Sequence, residues 1–189
     1  MMGDFMEALM LFRTSVLLAI LGVAVIGVPS ARAQQVTKES VEGVTNFARL
    51  ETTVACAGAT KPGAVPEIKK MGFASIINLR LPTETGASIE EEAAAAKQAG
   101  IKFYSIPFNG QSPDPAVADK FLQTITTPGN EPAFIHCAGG NRAAAMWMIK
   151  RLAVDHWDTD RAATEATALG MTSSGLKQFA IDYAQSHKK

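Results

Sequence analysis

The segment from Pro132 to Arg142 is the feature that most limits what this chain can fold into. Its apolar run, Ala133 to Ile135, predicts a short buried strand, and the residues from Asn141 to about Val154 predict a long helix. Between these two elements lie Cys137 and a pair of glycines. The sequence therefore predicts a cysteine at a tight junction between a strand and a helix.

A cysteine in this position faces free backbone N–H groups and the positive end of a helix dipole. Both lower the pKa of a thiol, as does a nearby guanidinium such as that of Arg142, and the thiolate is the nucleophilic form. Gly139 and Gly140 allow the backbone to close around an anion, which Arg142 can hold through two parallel hydrogen bonds. The pattern predicts an oxyanion held against the sulfur of Cys137. The alternative is a buried cysteine in an ordinary turn.

These residues resemble the signature of the cysteine-dependent protein tyrosine and dual-specificity phosphatases, in which His-Cys is followed by five residues and an arginine. The loop is more similar still to that of the bacterial group called beta-lactamase-hydrolase-like, which has the form His-Cys-x-x-Gly-x-Arg. The similarity covers most of the chain after Val44, including Asn46-Phe47 and Ile77-Asn78-Leu79-Arg80. It implies Cys137 as the nucleophile, Arg142 as a phosphate ligand, and a cradle formed by the amides of Ala138, Gly139, Gly140 and Asn141.

The loop departs from the general phosphatase signature at two points. Arg142 follows Cys137 by five positions, not six, and Ala143 stands where serine or threonine is usual. The shorter spacing is that of rhodaneses, which seldom carry histidine before the cysteine. A rhodanese-like sulfurtransferase and a non-catalytic oxyanion-binding domain therefore remain alternatives to a phosphatase.

The resemblance implies a general acid on the loop after the strand that precedes the active one, here residues 107–114. Asn109 stands where some dual-specificity phosphatases carry the acid, and an amide has no titratable proton to donate. We therefore expect Asn109 to bind substrate or a water molecule. Asp114 is the only carboxylate of this loop. It is the candidate acid, or else the cap of the helix that begins at Pro115.

Three other residues are candidates for the site. The resemblance implies that His136 organises the loop, and we count His136 among the substrate-binding candidates. Arg80 ends a predicted strand, so it either extends the anion site or forms a salt bridge with the acidic segment Glu90 to Glu92. Cys56 follows another predicted strand, and it is either a redox partner of Cys137 or an unrelated cysteine.

The amino terminus predicts export. The apolar run Ser15 to Val28 is preceded by Arg13 and followed by an Ala-Arg-Ala site ending at Ala33. Residues 1–33 are therefore interpreted as a secretory signal peptide, with Gln34 as the new amino terminus and a periplasmic or secreted protein as the product. The run is shorter than the roughly 20 residues of a membrane span, although a retained helical anchor is the alternative. Residues 34–43 are expected to be flexible.

Residues 44–189 predict one α/β domain of the tyrosine-phosphatase type. Strands alternate with helices, which favours a mostly parallel sheet of four to five strands with helices on both faces. Cys137 would then lie at the carboxyl ends of the strands, where such sheets bind ligands. Ser88 with Glu91 matches a capping box for the helix from Ile89 to Ala99.

Charge and composition exclude several functions. The chain has 18 Lys and Arg against 18 Asp and Glu, with no basic block, so nucleic acid is not an expected partner. Three scattered histidines and two separated cysteines have no metal-ligand spacing, and no cofactor is indicated. The expected partner is a phosphorylated protein or a small phosphate ester, with no membrane association after signal cleavage.

Overall fold

The computed structural model describes residues 35–187, so the predicted signal peptide, residues 1–33, lies outside the described residues. The strands are β1 (Val36–Lys38), β2 (Ala48–Leu50), β3 (Val54–Ala57), β4 (Ser75–Asn78), β5 (Lys102–Ser105) and β6 (Ala133–His136). The helices are α1 (Val65–Lys70), α2 (Ile89–Ala99), α3 (Pro115–Ile125), α4 (Asn141–Ala153), α5 (Thr159–Ala168) and α6 (Ser174–Ser186), and a 3-10 turn, Pro62–Ala64, leads into α1.

The strands form one sheet in the order β1-β2-β3-β6-β4-β5. Strands β3, β6, β4 and β5 pair in parallel, whereas β1 and β2 add antiparallel ribbons at one edge. The predicted α/β architecture with a mostly parallel sheet is confirmed. The described part of the chain contributes six strands, however, and not four or five.

The difference in strand number comes from the segment that was predicted to be flexible. Within residues 35–43, Val36–Lys38 forms the edge strand β1 and pairs with β2 from Val36↔Leu50 to Lys38↔Ala48. The β-branched residues Val36 and Thr37 suit an extended edge. Three residues are too few to show the alternation typical of a strand, so only the pairing with β2 identifies Val36–Lys38 as a strand.

The sheet separates two hydrophobic cores, because successive side chains of a strand point to opposite faces. Helices α3 to α6 cover one face, where Cys56, Ile135 and Cys137 are buried with Trp147. Helices α1 and α2 cover the other face, where the ring of Phe134 stacks on that of Phe47 with 6.2 Å between centroids. The predicted helices on both faces are thus confirmed.

The helix ends follow the sequence in one case and not in another. Asp114 caps α3, because its Oδ1 accepts a hydrogen bond from the N–H of Ala116 at 2.9 Å. Ser88 does not cap α2. It adopts a left-handed conformation with φ of 42°, and its side chain accepts no capping hydrogen bond. The predicted capping box is therefore wrong, since such a cap requires an extended backbone at this position.

Across residues 35–187, the helices are each too short or too polar to cross a lipid bilayer.

Candidate active site

The predicted junction between strand and helix holds Cys137 at the carboxyl ends of three parallel strands. The N–H of Cys137 donates to the carbonyl of Ala57 at 3.1 Å, and the N–H of Ala59 donates to the carbonyl of Ala138 at 2.9 Å. The loop after β6 is therefore tied to the segment that follows β3. Cys137 itself is almost fully buried, with 1% of its surface exposed.

Gly58 makes this close approach possible. A Cβ atom there would lie 2.4 Å from Oγ1 of Thr45 and 3.0 Å from the carbonyl oxygen of Ala138. Any side chain at position 58 would push the β3 segment away from the active loop. Gly58 was not predicted as a site residue, because nothing in the local sequence shows which segment approaches it.

The active loop presents its backbone amides to the sulfur and to the space beside it. The N–H of Gly140 donates to Sγ of Cys137 at 3.1 Å. Gly140 adopts φ of 99°, a left-handed conformation that favours glycine, whereas Gly139 does not require it. Within residues 35–187, no acceptor takes the backbone N–H groups of Ala138, Gly139, Asn141 and Arg142. The predicted cradle thus retains donors for an anion.

The guanidinium of Arg142 is held along one edge by Glu84, which the sequence did not single out. Nη1 of Arg142 lies 2.6 Å from Oε1 of Glu84, and Nη2 donates to Oε2 at 2.9 Å. Nη1 also donates to the carbonyls of Leu79 and Phe108 at 3.1 and 2.8 Å. These contacts fix the orientation of Arg142 beside Cys137.

The charges of this pair are stable at neutral pH. Partial burial alone would raise the pKa of Glu84, but hydrogen bonds from Arg142, the N–H of Leu81 and Arg80 lower it to about 2. Burial would lower the pKa of Arg142, but the Glu84 carboxylate and the Cys137 sulfur together raise it. Glu84 is therefore an ionised partner of Arg142 and a poor proton donor.

Arg80 does not extend the anion site. It is buried, and its Nε donates to Oε2 of Glu84 at 3.1 Å, while Nη1 and Nη2 donate to the carbonyls of Gly86 and Thr85 at 2.6 and 2.7 Å. The expected salt bridge to residues 90–92 is also wrong in its partner. Arg80 instead holds the loop that carries Glu84, and so acts on Arg142 through that carboxylate.

A cleft of about 380 Å³ opens beside Arg142 and is lined by Leu81, Glu84, Asn109, Gly110, Gln111, Asn141, Arg142, Ser173 and Leu176. Asn109 thus lines the cleft, and its contact with substrate or water stays a prediction. Its Oδ1 accepts a hydrogen bond from the N–H of Gln111 at 3.0 Å, which leaves its amide NH₂ free of partners in the described chain. Asp114 does not line this cleft. It is exposed and caps α3, so its assignment as the catalytic acid is not supported by its position.

Asn141 serves the site through its backbone only. Its Oδ1 accepts hydrogen bonds from the N–H groups of Thr172 and Ser173 at 2.6 and 2.9 Å, and its Nδ2 donates to Oγ1 of Thr172 at 2.8 Å. The side chain thus binds the start of α4 to the turn before α6. The side chain of Asn141 is therefore occupied, and the contribution of its backbone N–H to the cradle stays a prediction.

A second cleft, of about 660 Å³, borders the other side of the loop at Gly139 and Asn141. Lys38 and Asn46 are among its polar lining residues. Asn46 has φ of 50°, and its Nδ2 donates to the carbonyl of Gly139 at 3.1 Å, so it supports the loop from outside. The sequence placed Asn46 within the resemblance but assigned it no role.

His136 lies on the opposite face of the sheet from the side chain of Cys137. Its side chain is fully buried, and Nε2 is 2.9 Å from Oε1 of Glu92 on α2. His136 lines neither cleft. The assignment of His136 to the substrate-binding set is therefore wrong, because strand alternation directs the imidazole away from the loop.

Cys56 lies next to the site, on β3, opposite Ile135 of β6 and on the same face of the sheet as Cys137. Both cysteines are free thiols. Burial, the Cys137 sulfur and the carboxylate of Glu165 raise the pKa of Cys56. Cys56 is therefore a protonated thiol at neutral pH, and a diagonal neighbour of Cys137 on the adjacent strand.

In the part of the chain that the structure describes, no group of three or more His, Cys, Asp or Glu side chains could hold a metal ion.

The sequence was compared with protein-family models and with curated proteins. No protein-family model matches the chain. The beta-lactamase hydrolase-like protein of Agrobacterium fabrum strain C58 is 31% identical over 105 residues, which cover 53% of this chain. The match spans only 24% of that longer relative.

Several solved structures share the fold. A protein of Shewanella putrefaciens CN-32 described as a DUF442 phosphatase has a TM-score of 0.67 at 18% identity, and the match covers 81% of this chain and 99% of the other. TpbA of P. aeruginosa has a TM-score of 0.60 at 19% identity, and the match covers 84% of this chain and 92% of TpbA. The catalytic core of the S. cerevisiae PP-IP phosphatase SIW14 has a TM-score of 0.62 at 21% identity, and the match covers 76% of this chain and 88% of that core. The resemblance seen in the sequence is confirmed: this chain has the fold of the protein-tyrosine-phosphatase-like cysteine phosphatases.

Proposed function

We propose that this protein is an exported, cysteine-dependent phosphatase that hydrolyses a phosphate monoester through a thiophosphate intermediate. One observation carries the proposal. The sulfur of Cys137 accepts a hydrogen bond from the Gly140 amide at the start of α4, with the Arg142 guanidinium beside it. A buried sulfur in such surroundings is suited to be a thiolate, and the same amides suit a phosphoryl group.

The proposed reaction uses these positions in two steps. The Cys137 thiolate attacks phosphorus, so an S–P bond forms while the bond from phosphorus to the leaving oxygen breaks. Arg142 and the loop amides stabilise the charge on the equatorial oxygens. Water then attacks phosphorus, the S–P bond breaks, and inorganic phosphate leaves with the thiolate restored. Glu84 takes no part in the bonds, but it keeps Arg142 pointed at the phosphoryl site.

Proton transfer to the leaving group sets the preferred substrate. Among the residues lining the cleft beside Arg142, Glu84 is the only carboxylate, and its pKa of about 2 makes it a poor acid. Aryl oxides leave without full protonation, whereas alkyl oxides do not. We therefore propose an aryl phosphate such as phosphotyrosine, in a protein or a small ester, as the better substrate. TpbA was solved in complex with pTyr, whereas SIW14 is a PP-IP phosphatase, so this fold accepts more than one class of phosphate ester.

A sulfurtransferase remains the second candidate, because Arg142 follows Cys137 at the shorter spacing of rhodaneses. One assay panel separates the candidates. Wild type should hydrolyse an aryl phosphate weakly and be inhibited by vanadate. Cys137→Ser should be inactive, and Arg142→Lys should be severely impaired, because an ammonium cannot reproduce a two-pronged contact. Transfer of sulfur from thiosulfate to cyanide, without phosphatase turnover, would replace the proposal. Oxyanion binding with neither activity would make the protein a receptor.

Substitutions of Asp114 test whether it supplies the proton. Because Asn caps a helix nearly as well as Asp, Asp114→Asn should keep wild-type activity and stability, while Asp114→Ala should lose about 1 kcal/mol of stability. Hydrolysis of an aryl and an alkyl phosphate and urea unfolding are measured for both variants. If both variants instead lose alkyl phosphatase activity selectively, Asp114 reaches the leaving group and the capping role is not its only one.

Oxidation tests the role of Cys56. Mild peroxide should convert Cys137 to a sulfenic acid, which the Cys56 sulfur can attack once its thiol gives up its proton, so that a disulfide forms and water is released. Activity of wild type should then return with dithiothreitol, whereas Cys56→Ser should become irreversibly oxidised. Activity recovery and the mass of the Cys137 peptide are the readouts. Equal recovery in both proteins would remove Cys56 from this chemistry.

Export is tested on the native protein. Cleavage at the Ala-Arg-Ala site should give a chain that begins at Gln34, as determined by mass spectrometry of the periplasmic or secreted fraction. A full-length cytosolic species would contradict the proposed export without affecting the proposed chemistry.

A further inference from the structure

Strand β1 is the outer strand of the sheet and has one free edge. In the described chain it pairs with β2 alone. The N–H of Glu39 donates to the carbonyl of Phe47 at 3.4 Å, and hydrogen-bonded pairs recur at every second residue of an antiparallel ladder. Thr37 therefore bonds to β2, whereas the N–H and carbonyl groups of Val36 and Lys38 point outward. Within residues 35–187, these outward groups have no hydrogen-bond partner.

A groove runs along this edge, between β1 and α5. One part of it is a cleft of about 510 Å³, lined by Val36 and by residues of α5 as far as Ala168. The other part is the cleft of about 660 Å³ that borders the active loop, which is lined by Lys38, Leu169 and Gly139 among others. Adjacent segments of the chain line the two clefts on both walls, so the clefts adjoin end to end. Together they form what we call the β1 groove.

The strand directions bring one end of the β1 groove to the nucleophile. Strand β1 is antiparallel to β2, β2 is antiparallel to β3, and β3 is parallel to β6. Strand β1 therefore points the same way as β6, and its carboxyl end at Lys38 lies at the edge of the sheet where Cys137 follows β6. Gly139 borders the groove there, and a Cβ atom on Gly139 would have no neighbour within 4 Å. The active loop is thus open to a ligand that enters from the groove.

The charges of the groove favour an acidic ligand. Lys38 and Arg161 line it, and neither has a carboxylate within salt-bridge distance in the described part of the chain. Glu165 also lines the groove, but its Oε1 accepts a hydrogen bond from Arg151 at 2.7 Å, which balances its charge. Glu39 is the remaining carboxylate of the lining. Two unpaired cations therefore face one unpaired carboxylate.

We infer that the β1 groove binds an extended, acidic segment of a phosphorylated protein, which adds as a strand to the free edge of β1 and places a phosphotyrosine over the active loop. In this mode of recognition, main-chain hydrogen bonds provide affinity and the walls of the groove select side chains. The inference rests on the proposed function, and it deepens that function by naming a phosphoprotein, and not a small phosphate ester, as the substrate class.

The geometry also gives the position of the paired segment in the substrate. Antiparallel pairing is the more stable mode, and a strand antiparallel to β1 begins beside Lys38 and runs away from the active loop. An added strand would lie four strand spacings from β6, about 19 Å, which an extended chain crosses in about six residues. The paired residues should therefore begin about six positions after the phosphotyrosine.

The first test compares two synthetic peptides on the wild-type protein. The long peptide has phosphotyrosine followed by about twelve residues, in which valine or threonine alternates with glutamate, and the short peptide ends about three residues after the phosphotyrosine. The long peptide should have a KM on the order of tenfold lower at a similar kcat, because the distal contacts do not change during the reaction. N-methylation of alternate distal amides should abolish this advantage in one register only, since every second amide faces β1.

The second test removes a donor from the edge. Val36→Pro deletes an outward N–H and retains the hydrogen bonds between β1 and β2, and edge strands tolerate proline at such positions. The KM of the long peptide should rise about fivefold, as expected for one lost hydrogen bond, while the kinetics of the short peptide and of p-nitrophenyl phosphate should not change. Ser105→Pro is the matched control on the opposite edge of the sheet. The N–H of Ile106 donates to Asn78 of β4, so that of Ser105 points outward, and this variant should behave as wild type with all three substrates.

Equal KM values for the two peptides in wild type would overturn the inference, as would an unchanged KM for the long peptide in a folded Val36→Pro protein. Thermal unfolding reports whether each variant folds, and the peptide comparison on wild type decides the question even if Val36→Pro does not fold. Sedimentation of wild type as a dimer that Val36→Pro converts to a monomer, with equal KM values for both peptides, would assign the edge to a second copy of this chain instead.

Binding without turnover separates this inference from the proposed function. Fluorescence anisotropy measures the affinity of both peptides for Cys137→Ser, alone and combined with Val36→Pro. Tighter binding of the long peptide that Val36→Pro abolishes, in a protein whose wild type hydrolyses no phosphate ester, would support the inference while contradicting the proposed function. Hydrolysis of both peptides with equal KM values would do the reverse.

Discussion

The ion pair between Arg142 and Glu84 is the contact on which the rest of the site depends. An arginine can bind an anion in a fixed orientation only if its other edge is held, and a largely buried guanidinium needs a partner for its charge. Glu84 meets both needs, because its two oxygens each contact Arg142 at 2.6 and 2.9 Å. Its own position is set by Arg80 and by the N–H of Leu81. Three loops are joined at this point, since Arg142 also donates to carbonyls of the segments after β4 and β5.

The central sheet separates two tasks. On the side covered by α3 to α6, the sulfur of Cys137 meets the loop amides and Arg142, with the second thiol, Cys56, on the adjacent strand. On the side covered by α1 and α2, His136 pairs with Glu92 in a closed, fully buried setting. Two consecutive residues of one strand thus contribute to opposite faces. A strand provides this arrangement, because its side chains alternate while its backbone stays rigid.

Local patterns predicted the elements that have strong local causes. The helix α2, Ile89–Ala99, has the predicted bounds, and Asp114 with Pro115 marked the start of α3 correctly. Short elements with weak local signals were missed or misread. Strand β1 has only three residues, so its pairing with β2 decides its conformation. Ser88 fits a capping pattern, but the turn before α2 forces it into a left-handed conformation that removes the cap.

The sequence by itself determined the fold class, the nucleophile candidate Cys137 and its anion ligand Arg142, because strand, glycine turn, helix and reactive side chains are contiguous along the chain. Only the tertiary structure decided which distant residues complete the site. Glu84 lies 58 positions from Arg142, and Gly58 and Asn46 meet the loop from across the sheet. The side chain of Asn141 is likewise used by a turn that only folding brings near, whereas Arg80 binds residues within six positions of itself. Contacts between distant segments depend on strand order and helix packing, and local sequence patterns do not record either one.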